Sequence, residues 1–70
     1  MTELQISQAI QKRRKFLKIT QKDLAEISGA SVRTVKAIEK GKANPTLEIL
    51  LKVLEPLGLT LTTEERVRNE

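Results

Sequence analysis

The sequence predicts an all-α domain of four to five short helices, closed by one short β-strand. Three observations predict it. Apolar residues recur at helical spacing in four successive segments. Helix-starting and helix-ending residues punctuate those segments, with Thr20, Ser31 and Thr46 at the starts and Gly29, Gly41 and Gly58 at the ends. Past Gly58 the period switches to alternation, in Leu59-Thr60-Leu61-Thr62-Thr63.

The first helix spans roughly 3 to 17. Ile6, Ala9, Ile10 and Leu17 form its apolar face, and Phe16 is expected to join them. It stops near Ile19-Thr20. Thr20 caps a second helix, 21 to 28, whose Asp23 sits in the first turn, where the helix dipole favours an anion. Leu24, Ala25 and Ile27 are its apolar residues, and Gly29 supplies the left-handed exit. Ser31 caps a third helix, about 32 to 40, with Val35 and Ile38 as its inner stripe. After the loop at 42 to 45, Thr46 caps a fourth. Leu47, Leu50, Leu51, Leu54 and Leu57 line one side of it, flanked by Ile49 and Val53. Pro56 has no N–H to give a helix interior, so a kink or an end is expected around Glu55. The alternating segment 59 to 63 reads as a strand with no mate in the chain, so the same segment of a second copy is the expected partner. Residues 64 to 70 are highly charged and expected to fray. The division that follows is a helical domain over 1–58 and a dimerisation strand with a flexible tail over 59–70.

Composition narrows the function. Seventy residues make one domain, and a domain this small buries only about 60% of its unfolded surface. Such domains often need a staple. There is no cysteine and no histidine, which removes disulfides, thiolate nucleophiles and the usual zinc ligands together. Self-association is the staple left. With Tyr and Trp also missing, and no clustered carboxylates or glycine-rich phosphate loop, no enzyme, metal or cofactor is expected. No apolar run reaches membrane-span length and no signal peptide is seen, so a cytoplasmic protein with no membrane partner is expected. Thirteen Lys and Arg against nine Asp and Glu give a net charge of +4 and a pI near 9.8. That balance fits a nucleic-acid partner, and fits simple solubility about as well.

The second and third helices decide between these. Only Gly29-Ala30-Ser31 separates them, and two short helices joined by a tight glycine turn form a helix-turn-helix. The helices cross closely, so the contact residue must be small, and Ala25 is. With Val35 and Ile38 inward, Val32, Arg33, Lys36 and Ala37 point outward. The second helix of such a unit enters the DNA major groove. The run Lys12-Arg13-Arg14-Lys15 is discounted as a basic patch, because at helical spacing its members point in different directions.

The set Thr20-Gln21-Lys22-Asp23-Leu24-Ala25, Gly29-Ala30-Ser31, Val35, Ile38-Glu39, Gly41 and Pro45 resembles the Cro/repressor (XRE-type) helix-turn-helix family. The likeness covers about residues 4 to 59 and implies a lambda-repressor-like DNA-binding fold. It implies base contacts from Val32, Arg33, Lys36 and Ala37: Arg33 to guanine O6 and N7, Val32 and Ala37 to thymine methyls, Lys36 to a base or a phosphate. It implies phosphate contacts from Gln21, Ser31, Lys40, Lys42 and Asn44, with Asn44 equally suited to shaping the turn before Pro45. It also implies an ion pair between Arg14 and Glu39 that ties the first helix to the third. Two positions depart from the pattern. Lys18 stands where many relatives place glycine or asparagine, and Val32 is apolar where many have a polar base reader, which leaves room for readout of DNA shape.

The segment Leu57-Gly58-Leu59-Thr60-Leu61-Thr62 resembles the C-terminal strand of HipB-like antitoxins. One recognition helix covers few base pairs, so a palindromic operator read by a homodimer is expected, with the two helices about 34 Å apart. Leu57, Leu59, Thr60, Leu61 and Thr62 are the expected dimerisation residues. The leading expectation is a transcriptional repressor that is also the antitoxin of a HipA-like kinase toxin and represses its own operon. A stand-alone phage-type repressor or restriction-modification controller is the second expectation. A protein-interaction module without DNA binding is the third.

Overall fold

Helix boundaries in this chain follow from side chains that satisfy the backbone at each end. The computed structural model describes residues 2–63. Along them lie α1 (Glu3–Phe16), α2 (Gln21–Ser28), α3 (Val32–Glu39), α4 (Leu47–Leu54) and a 3₁₀ turn, Glu55–Leu57. A hydroxyl residue caps every α-helix. Thr2 Oγ1 accepts from Gln5 N–H at 3.1 Å, and Gln5 Oε1 accepts in return from Thr2 N–H. Thr20 and Asp23 form the same reciprocal box, at 3.0 and 2.8 Å. Ser31 accepts from Thr34 N–H and Thr46 from Ile49 N–H. Each cap satisfies a donor that the first turn would leave open.

Three of the C-terminal ends share one device. After α1, Lys18 N–H donates to Lys15 carbonyl and Ile19 N–H to Arg14 carbonyl, around a left-handed Lys18 at φ 59°. After α3, Gly41 and Lys42 repeat the pattern onto Ile38 and Ala37, and after the 3₁₀ turn Gly58 and Leu59 repeat it onto Glu55 and Leu54. This paired closure needs one left-handed residue, which explains two of the three glycines. Pro56 falls inside the 3₁₀ turn, where α-helix would require an N–H it lacks.

The core draws on every helix. Ile10 (α1), Leu24 (α2), Val35 (α3) and Val53 (α4) are fully buried, with Ala25, Ile38, Leu54 and Leu57 nearly so. Burial of each large aliphatic is worth about 1.5–3 kcal/mol. Ala25, nearly fully buried, belongs to α2, whose contact with α3 is the most extensive between elements.

Several expected core positions are corrected. Phe16 is 71% exposed, with the Arg13 guanidinium 5.1 Å above its ring, because it sits well off the Ile6–Ile10 face. Ala9, Ile27, Leu47 and Leu51 are exposed as well. The buried arc of α4 centres on Val53, Leu54 and the following Leu57, which leaves Leu47 and Leu51, one turn apart, at its edge. Ser7 is buried instead. Its hydroxyl donates to Leu4 carbonyl and faces Gly41, where an added Cβ would stand 3.6 Å away, in ordinary contact.

The strand expected at 59–63 does not form within one chain. No second edge exists among the described residues to accept its hydrogen bonds, and a strand without a ladder is not regular structure. Burial nevertheless alternates there, with Leu59 and Leu61 half-buried and Thr60 and Thr62 exposed. The charged tail expected over 64–70 lies outside the described residues. Among those described, no helix is long and apolar enough to cross a membrane.

Candidate nucleic-acid interface

The two-helix unit is fixed from below. Val35 and Ile38 anchor α3 in the core, and Gly29, at φ 78°, turns the chain from α2 toward it. Nothing lies within 4 Å of where a Gly29 Cβ would be, so the requirement for glycine is conformational and not steric.

The ion pair holds the other end. Arg14 Nε donates to Glu39 Oε2 at 2.7 Å and Nη2 to Oε1 at 3.0 Å, a two-pronged contact with side chains only 11% and 2% exposed. Hydrogen bonding to Glu39 raises the Arg14 pKa above its ordinary value, so the guanidinium stays charged at any physiological pH. Arg14 Nη1 also donates to Ile19 carbonyl at 3.0 Å. One guanidinium therefore joins α1, the α1–α2 connection and the last residue of α3.

Opposite this buried side, Arg33 and Lys36 are exposed on the outer face of α3. They are one turn apart, at i and i+3, and form a single cationic ridge. Lys40, Lys42 and Asn44 follow, also exposed. Beside Arg33 and Ala37 runs a shallow open cleft walled by Ala43, Asn44, Pro45 and Ile49. The other expected contacts differ in detail. Val32 is half-buried against the core rather than fully outward, because the first turn of α3 leans onto it. Ala37 is half-buried at the cleft. Ser31 is exposed, but its hydroxyl is committed to the cap, accepting from Thr34 N–H and donating to Thr34 Oγ1. Gln21 is half-buried, and its Nε2 donates to Glu39 Oε1 at 3.2 Å.

Three contacts were not visible in the sequence. The Gln21–Glu39 bond makes the scaffold glutamine part of the ion-pair network. Arg13 Nε donates to Leu57 carbonyl at 2.9 Å across 44 residues, which fastens α1 to the 3₁₀ turn. Ile49 closes the cleft beside α3. All three depend on how distant elements dock. Only the basic run 12–15 hinted at any of them.

The helix-turn-helix family pattern matches residues 10–63, well over half of the 70-residue chain. The chain belongs to the helix-turn-helix family. Relatives of this helix-turn-helix protein come from bacteria and archaea. An HTH-type transcriptional regulator of Haemophilus influenzae is 49% identical over 57 residues, covering 80% of this chain and 58% of the relative. One from Methanocaldococcus jannaschii is 42% identical over 43 residues, 61% of this chain and 65% of the relative. One from Methanothermobacter thermautotrophicus is 39% identical over 49 residues, 70% of this chain and 71% of the relative. The chain thus spans less than two thirds of the Haemophilus and Methanocaldococcus proteins.

Proposed function

We propose that this helix-turn-helix protein is a cytoplasmic transcriptional repressor that binds a palindromic DNA operator as a homodimer. One observation carries the reading: Arg33 and Lys36 stand exposed on the outer face of α3, while the inner face of the same helix is locked in the core. A rigid helix with a cationic outer ridge is what major-groove readout needs, since the backbone that carries the side chains arrives already fixed. Arg33 reads guanine and Lys36 a base or a phosphate. Ala37 meets a thymine methyl, with Val32 contributing its exposed part. Gln21, Lys40, Lys42 and Asn44 set the register on phosphates, and Ser31 joins them by turning its hydroxyl hydrogen away from Thr34 Oγ1. The names of the three relatives, all transcriptional regulators, support the same reading. The chain has no enzymatic role in this account.

The alternating burial of Leu59 to Thr62 supports the dimer. Paired across a two-fold axis with the same segment of a second copy, these residues gain the ladder they lack alone; Leu57, expected among the dimerisation residues, is 1% exposed within one chain and belongs to the core instead. The same segment supports the finer assignment, an antitoxin that binds a HipA-like kinase toxin and represses its own operon.

Selection by the purified protein from a random-sequence duplex pool tests the reading. Enriched sequences should carry inverted half-sites centred about 10 base pairs apart, with affinity falling steeply as salt rises. Recovery of the unselected pool, or salt-insensitive binding, would contradict it. Co-purification of a kinase-like protein encoded by the neighbouring reading frame tests the antitoxin assignment.

A further inference from the structure

Lys18 is the only residue other than glycine with a positive φ among the described residues, at 59°. A side chain in that region crowds its own backbone, and glycine or asparagine fits more easily. The fold needs a left-handed residue there to close α1, but it does not need a lysine. A cation near a helix C-terminus is favoured by the dipole. The last turn of α1 already holds Arg13, Arg14 and Lys15, so a fourth charge adds little.

The position of Lys18 gives the charge another use. Arg14 donates both to the carbonyl of Ile19, the next residue, and to the Glu39 carboxylate, while Gln21 reaches that same carboxylate. The corner from Lys18 to Gln21 is thereby held against the C-terminal end of α3. Lys18, Lys22, Lys36 and Lys40, each within three residues of Gln21 or Glu39 along the chain, are all exposed.

We propose that Lys18 is a further DNA-backbone contact, its ammonium taking a phosphate adjacent to the one held by Gln21. The inference rests on the DNA-binding reading above. The strained backbone is kept because a lysine at this corner adds a phosphate contact that a glycine cannot make.

The test uses the full chain with Lys18→Asn, Lys18→Gly and Lys18→Arg. Thermal melting is measured without DNA. Affinity for the selected duplex is measured by fluorescence anisotropy across a salt series. Asn and Gly should melt at or above the parent, yet bind about fivefold or more weakly near 0.1 M salt. Their slope of log affinity against log salt should fall by about one unit per protomer. Arg should keep the parent's affinity and slope. The role is overturned if Asn and Gly bind with the parent's affinity and slope, if Arg loses as much as Asn, or if Asn and Gly both melt well below the parent. A parent that shows no salt-dependent duplex binding would instead sink the DNA-binding reading, and the Lys18 contact with it.

Discussion

Arg14 and Glu39, 25 residues apart, meet through two hydrogen bonds of 2.7 and 3.0 Å in a site that leaves the glutamate side chain 2% exposed. Removing one partner strands the other's charge away from water. Glu39→Ala should therefore cost about 3–5 kcal/mol of folding stability, without any DNA present. Chemical denaturation followed by circular dichroism reads this directly. Replacing both partners with Met and Leu should recover much of the loss, since no buried charge is then left unpaired.

The Asp23 carboxylate carries a pH signature. Hydrogen bonding from Thr20 N–H, and then from its hydroxyl, lowers the Asp23 pKa below the ordinary 3.8. A group with a lowered folded-state pKa stabilises the fold above its unfolded pKa and loses that contribution as pH falls through the folded value. Asp23→Asn should melt below the parent at neutral pH, with the gap closing once pH drops below about 4. Melting temperatures of both proteins from pH 7 to pH 2 would show it. A gap constant across that range would contradict the capping role.

The edge of α4 separates core from surface. Leu57→Ala removes a side chain 1% exposed and should cost about 2–5 kcal/mol at any protein concentration. Leu51, 45% exposed, should cost the isolated chain less than about 0.5 kcal/mol when changed to Ala. A melting shift for Leu51→Ala that depends on concentration would place this residue in a contact between copies.

Deleting residues 59–70 should leave the four helices folded and give a monomer with weak operator affinity. Sedimentation equilibrium tests this. An intact dimer after the deletion would remove the strand from the account of self-association.

Local chemistry made most of the fold legible. Thr20, Ser31 and Thr46 act within three residues of themselves, and Gly29, Gly41 and Gly58 within four, so the bounds of α1 to α3 were readable to within a residue. Pro56 likewise announced the end of α4. What was hidden depends on docking. Periodicity marked Leu47 and Leu51 as apolar, but only the angle of α4 against the other helices decides which arc is covered. Phe16 reads as core by hydropathy, yet it packs beneath Arg13 because α1 turns its other face inward. Gln21 could be placed at the start of α2, but its bond to Glu39 requires the ends of α2 and α3 to meet. The segment 59–63 has strand chemistry, and a single chain gives it nothing to pair with.

DNA binding by this chain depends on the outer face of α3, if that face is the reading surface proposed above. Arg33→Glu/Lys36→Glu changes two exposed residues and should leave the circular dichroism spectrum and melting temperature near those of the parent. Its affinity for the selected duplex should fall by roughly a hundredfold or more. Binding as tight as the parent's by this folded variant would show that α3 is not the reading surface.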